Sequence, residues 1–132
     1  MNKLAIGLSL AAAALAVQSA NAGLHYSSPI TVGVNSDHSG GAWGGVHSAR
    51  VSSDSKQFIG CAAYGAVNTS STYVACSASD AAGHTLYCST YNPNYYVWQA
   101  AMSVNQASSI IFNVDSHGNC TYVYVQNNSV NL

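Results

Sequence analysis

Apolar and polar residues alternate in short runs along the chain, and the runs predict strands over Ile30–Val34, Gln57–Tyr64, Thr72–Ser77, Thr85–Cys88, Ile110–Val114 and Cys120–Gln126. Two punctuating segments, Ser79-Asp80-Ala81-Ala82-Gly83-His84 and Val114-Asp115-Ser116-His117-Gly118-Asn119, share the form Asp-x-x-Gly. Asp suits the first position of a type I turn, and Gly suits the left-handed residue that closes a bulged hairpin. Both segments are therefore expected to be hairpin turns, the first placing Asp80 opposite His84 and Cys76 opposite Cys88. The period changes after Asn92-Pro93, where Tyr95, Trp98, Ala101 and Met102 recur at spacings of three and four. That predicts a helix from Pro93 to about Gln106, with Asn92 as cap and Pro93 in the first turn. The run Ser39–Gly45 is too rich in glycine for either regular element. The expected fold is α+β, a mainly antiparallel β-sheet of about five or six strands under one helix near 93–106; the alternative is an all-β sandwich with a short helical connection.

The start of the chain follows a different pattern. Met1-Asn2-Lys3 is a short positive segment, and Leu4–Val17 is apolar and uncharged. It falls short of the roughly 20 residues that span a bilayer as a helix. Ala20 and Ala22 then place small residues at positions −3 and −1 of a cleavage site. Residues 1–22 read as a signal peptide, and 23–132 as a single globular β-rich domain that is secreted or periplasmic, with no membrane span after signal removal. No Cys follows the apolar run, which argues against a lipid anchor.

Charge then removes whole classes of function. Beyond residue 22 the strong cations are Arg50 and Lys56 and the carboxylates are Asp37, Asp54, Asp80 and Asp115; the chain contains no Glu. Nucleic-acid binding needs several Lys or Arg to displace phosphate counterions, so nucleic acid is excluded as a partner. Disorder is excluded too, because the nine Tyr, two Trp and two Phe all lie in the predicted mature domain.

The four cysteines, Cys61, Cys76, Cys88 and Cys120, read as two disulfides in an oxidising compartment. The hairpin register prefers Cys76 with Cys88, leaving Cys61 with Cys120. A rival register across the Val67-Asn68-Thr69-Ser70 turn would set Cys61 against Cys76.

Candidate chemistry is sparse. Asp37-His38-Ser39-Gly40-Gly41 has the residue types of a hydrolytic triad, but neighbours in one loop diverge, whereas a triad converges from separate segments. Without Glu, and with two of four Asp committed to turns, paired-carboxylate glycoside hydrolysis is poorly supported. His25, His38, His47, His84 and His117 lack ligand spacing and read as separate loop and turn residues, so neither a metal nor a cofactor is expected. Catalysis is not expected.

Aromatic side chains carry the remaining signal. In the last strand Val123 and Val125 alternate with Tyr122 and Tyr124, giving a core face and an outward tyrosine face. Tyr offers a flat apolar plane with a hydroxyl at low entropic cost, suited to sugar rings or another protein surface. Trp43, Arg50, Tyr122 and Tyr124 are the candidate binding residues, although for Arg50 a pair with Asp54 that fixes the Gly-rich loop to the sheet is favoured over ligand capture. The segment Ser48-Ala49-Arg50-Val51-Ser52-Ser53-Asp54-Ser55-Lys56-Gln57-Phe58-Ile59-Gly60-Cys61, together with Ala78–Gly83, Cys88 and Asp115–Thr121, resembles a group of small exported bacterial proteins of uncharacterised function. That resemblance implies a shared fold and an extracytoplasmic bacterial setting, and assigns no activity or site residue. The expected function is a non-enzymatic surface, matrix or binding protein contacting glycan or itself through Tyr- and Ser/Thr/Asn-rich faces; the alternative is a small secreted hydrolase or effector acting on neighbouring cell envelopes. The first expectation to check is the leader: N-terminal sequencing of exported protein should begin at Gly23, and retention of Met1 would overturn it.

Overall fold

The computed structural model describes residues 26–66 and 71–131. The predicted leader and its cleavage point, His25, and the predicted Val67–Ser70 turn lie outside the described residues. The chain forms strands β1 (Thr31–Val34), β2 (Gly40–Gly45), β3 (Phe58–Gly65), β4 (Thr72–Ser79), β5 (Thr85–Tyr91), β6 (Ser108–Val114) and β7 (Cys120–Asn127). Helix α1 (Val46–Arg50) follows β2, helix α2 (Tyr95–Met102) follows β5, and a 3-10 turn, Ser129–Asn131, follows β7. One antiparallel sheet has the order β1-β2-β6-β7 and a second has the order β3-β4-β5. The mainly antiparallel α+β class stands, with seven strands divided between two sheets rather than five or six in one.

Strand periodicity explains how the sheets share a core. Val74, Cys76 and Ala78 of β4, Leu86 and Cys88 of β5, and Ile110, Phe112 and Val114 of β6 alternate with outward residues and are buried together. Phe112 and Ile110 are the largest fully buried side chains among the described residues. Helix α2 lies against β7 of one sheet and β3 and β4 of the other, burying Ala101 with Val97 and Trp98 packed beside it.

Both Asp-x-x-Gly segments form the expected turns. The Asp80 N–H donates to the His84 carbonyl (3.0 Å) and the Gly83 N–H to the Asp80 carbonyl (3.0 Å); Asp115, Gly118 and Asn119 repeat the pattern at 3.1 Å. Gly83 and Gly118 have φ of 93° and 84°, the left-handed conformation that glycine adopts without a Cβ clash. A third turn of the same form joins β1 to β2, with the Asn35 N–H on the Ser39 carbonyl (2.8 Å) and His38 at φ 66°.

Three expectations need correction. Ser39–Gly45, read as neither regular element, contains the inner strand β2, hydrogen-bonded to β1 and β6. Glycine is accommodated there because its neighbours approach closely: a Cβ on Gly41 would stand 2.7 Å from the Asn113 side-chain oxygen. The helix is also shorter than Pro93–Gln106. Asn94 is its cap, accepting from the Val97 N–H (3.0 Å), while Asn92 takes φ 47° and its side chain accepts from the Thr72 N–H (3.2 Å). It ends where the Ser103 hydroxyl folds back on the Ala100 carbonyl (2.8 Å).

The third correction concerns the cysteines. The bridges are Cys61–Cys76 and Cys88–Cys120, not the preferred Cys76–Cys88 and Cys61–Cys120. The predicted register of Cys76 opposite Cys88 is present, but β4 is a middle strand, and Cys76 also faces Cys61. One sulfur facing two partners can bond only one. Cys61–Cys76 ties neighbouring strands of the three-stranded sheet, whereas Cys88–Cys120 ties the two sheets together, next to a parallel bridge between Ser89 and Asn119.

Phe112 gives the core a direct test. Phe112→Ala removes the largest buried side chain from the centre of β6 and is expected to cost about 3–5 kcal/mol. Denaturant unfolding followed by tyrosine fluorescence measures it, and a loss below about 1 kcal/mol would mean that the sheets do not share this core.

Candidate functional site

Once the inward positions are fixed, the outward ones follow. On the three-stranded sheet, register sets Tyr64 opposite Tyr73 and Tyr73 opposite Tyr91, a row of three tyrosines across β3, β4 and β5. Their rings meet at tilted angles, with centroids 5.9 Å apart for Tyr64–Tyr73 and 4.8 Å for Tyr73–Tyr91. Tyr87 stands on the same face further along β5, and its hydroxyl is 2.5 Å from that of Tyr73. Between these rings the strands carry only small residues: Ala62 pairs with Ala75, and Gly60 with Ser77. The result is an open concavity of about 510 Å³ with Tyr64, Tyr73 and Tyr87 as walls and the small residues as floor. No Asp, Lys or Arg lines it.

The Tyr73–Tyr87 contact has an electrostatic signature. The Tyr73 phenol is pulled below its ordinary value near 10, first by its hydrogen bond with the Tyr87 hydroxyl and then by Ser89. Tyr87 moves above that value, first through the same bond and then through desolvation. The two hydroxyls offer donors and acceptors on a face that no Asp, Lys or Arg lines.

The four-stranded sheet exposes a second aromatic face. Trp43, Ile111 and Tyr124 lie directly opposite one another across β2, β6 and β7, and Tyr122 follows beside Asn113. Trp43, Tyr122 and Tyr124 are each exposed by 43–48 %, while Val123 is buried and Val125 packs on the core, as the alternation predicted. Three of the four candidate binding residues thus share one surface.

Arg50 does not join them. It is exposed at the end of α1, and the expected pair with Asp54 is not formed; among the described residues the sole ion pair is His84–Asp80. Asp54 instead accepts from the Lys56 N–H (2.8 Å), the Gln57 N–H (2.9 Å) and the Gln57 side-chain amide (2.6 Å). Gln57 in turn accepts from the Ile30 N–H (2.9 Å), linking this loop to the start of β1.

The other carboxylates are engaged in the same way. Asp37 accepts from the Ser39 hydroxyl (2.6 Å) and N–H (3.1 Å), so the triad-like run is a turn in which Ser39 bonds Asp37 rather than His38. Asp80 accepts from His84, and Asp115 from His117 and Asn119. Hydrogen bonds to the ionised form lower the pKa of all four; the side-chain bond is the largest cause in each, from Ser39, Gln57, His84 and Asn119 respectively.

No protein-family model, no curated protein and no solved structure matches the chain. The tyrosine row on the three-stranded sheet escaped the sequence reading. Its signal is present in the hairpin register, since Cys76 opposite Cys88 also sets Tyr73 opposite Tyr91.

Asp54 provides a titration test. Its pKa falls from 3.8 to about 2, chiefly through the Gln57 side-chain amide. A depressed native pKa adds stability that is complete above the unfolded value and fades as pH falls through the native one. Gln57→Ala should move the Asp54 carboxyl up toward 3.8 in an NMR titration; an unmoved value would show that Gln57 is not the cause.

Proposed function

We propose that the chain is an exported, non-enzymatic binding protein that contacts neutral glycan through the tyrosine face of β3, β4 and β5. The supporting observation is the uncharged concavity in which Tyr64, Tyr73 and Tyr87 surround a floor of Gly60, Ala62 and Ala75. A pyranose ring has apolar C–H faces and a polar rim. Tyrosine rings at tilted angles offer planes for the first and hydroxyls for the second, and small floor residues leave room for the ring. A face without cations or carboxylates favours an uncharged sugar over an anionic one.

The carboxylates support a non-enzymatic role. Glycoside hydrolysis requires one carboxyl held protonated near neutral pH. Each of the four Asp is shifted in the opposite direction by hydrogen bonds within its own loop. Two disulfides suit an oxidising compartment, secreted or periplasmic. Among the described residues no helix is long and apolar enough to cross a membrane.

Self-contact is the second reading, favoured by the exposed Trp43, Ile111 and Tyr124 row on the other sheet. The two readings use different faces and therefore separate by mutation. A glycan array followed by calorimetry on the best neutral oligosaccharide should show Tyr64→Ala weakening binding at least tenfold, roughly 1.4 kcal/mol, with Trp43→Ala close to wild type. Absence of binding to any neutral glycan overturns the reading. Concentration-dependent sedimentation that is abolished by Trp43→Ala would transfer the conclusion to self-contact.

A further inference from the structure

Cys76 is the middle member of a cross-strand row, opposite Cys61 on β3 and opposite Cys88 on β5. Its sulfur, that of Cys88 and that of Cys120 all lie within 4.8 Å of one another. Each disulfide therefore stands beside a third sulfur that the backbone register already offers as a partner. Accessibility differs along the row: Cys76 and Cys88 are 1 % and 0 % exposed, whereas Cys61 and Cys120 are partly exposed.

We propose that this cluster is a reductant-triggered disulfide exchange device, in which opening Cys61–Cys76 releases the tie between the two sheets. The external reductant is a dithiol. Its first thiolate attacks the accessible Cys61 sulfur, forming a mixed disulfide and expelling Cys76 as a thiolate. The second thiol of the reductant then displaces Cys61, so the dithiol leaves as a cyclic disulfide and Cys61 becomes a thiol. The Cys76 thiolate next attacks the Cys88 sulfur across the β4–β5 pair, forming Cys76–Cys88 and breaking Cys88–Cys120. Cys120 departs with the electron pair and takes up a proton. Two electrons have entered, one bridge remains, and the two thiols are on Cys61 and Cys120, the partly exposed members. The surviving bridge lies within the β4–β5 hairpin, and no disulfide joins the two sheets.

The test uses the folded chain with both bridges and a water-soluble phosphine, which supplies the same two electrons and acts at acid as well as neutral pH. One molar equivalent is added at pH 8, free thiols are alkylated and the chain is digested with pepsin in acid, where thiolates are scarce and bridges stay put. Cleavage near Tyr64, Tyr73, Tyr87, Tyr91 and Phe112 separates the four cysteines for mass mapping. The expected product at pH 8 carries label on Cys61 and Cys120 with Cys76 linked to Cys88. Reduction at pH 3, where Cys76 is held as a thiol, should instead give label on Cys61 and Cys76 with Cys88–Cys120 intact. Label on Cys61 and Cys76 at both pH values overturns the proposal, as does label on Cys88 and Cys120. A second arm needs no reductant: Cys61→Ser leaves Cys76 unpaired, and incubation at pH 8 before alkylation should move the free thiol, and so the labelled position, from Cys76 to Cys120. Label that stays on Cys76 in a variant whose circular dichroism matches wild type also overturns it.

Discussion

Two sheets burying one face each against the other is the constraint from which the rest of the molecule follows. A strand presents alternate residues to opposite sides, so assigning Val74, Cys76 and Ala78 to the core leaves Tyr73, Ala75 and Ser77 no choice but the outside. The same division on β6 and β7 sends Ile110, Phe112 and Val123 inward and Ile111, Tyr122 and Tyr124 outward. A slip of one residue would expose the apolar set and bury the tyrosines, so the stability of the core and the composition of both outer faces are specified together. The aromatic surfaces are the complement of the core.

Low charge gives the turns a large share in holding this register. With so few ionised groups, the chain concentrates its carboxylates at loop positions where each accepts hydrogen bonds from backbone and side-chain groups of its own segment. Asp80 and Asp115 fix the two hairpins that set the pairing of β4 with β5 and of β6 with β7. Asp54, through Gln57, positions the loop that leads into β3. These are local interactions, and none of them requires a contact between distant strands.

That locality explains what was legible in the sequence. Asp-x-x-Gly at Asp80 and Asp115 specified the two turns and, for the first, the register, while the alternation with Val123 and Val125 gave the outward direction of Tyr122 and Tyr124. Strand β2 was not legible, because Gly40, Gly41, Gly44 and Gly45 have no strand propensity of their own and are held by pairing with β1 and β6. The disulfide partners were legible only as alternatives: the registers of Cys76 opposite Cys88 and of Cys61 opposite Cys76 could both be read, both are present, and the rival register carries the bridge. The helix start moved from Asn92 to Asn94 because Asn92 serves the Thr72 backbone instead of the helix.

The two bridges divide the work between layers. Cys61–Cys76 closes a separation of 15 residues and Cys88–Cys120 one of 32, and chain entropy alone assigns them about 3 and about 4 kcal/mol respectively. Cys61–Cys76 joins strands already paired by a full hydrogen-bond ladder, so it reinforces an existing contact. Cys88–Cys120 joins two sheets that also adhere through apolar burial, helix α2 packed on both, the Ile30–Gln57 hydrogen bond and the isolated bridge between Ser89 and Asn119. Moving the covalent link from Cys88–Cys120 to Cys76–Cys88 keeps the β4–β5 register, and with it Tyr73 opposite Tyr91, because those strands already face each other there. What changes is the relation between layers. The tyrosine face belongs to one sheet and the Trp43 face to the other, so the sulfur that ties the layers couples two surfaces that share no side chain.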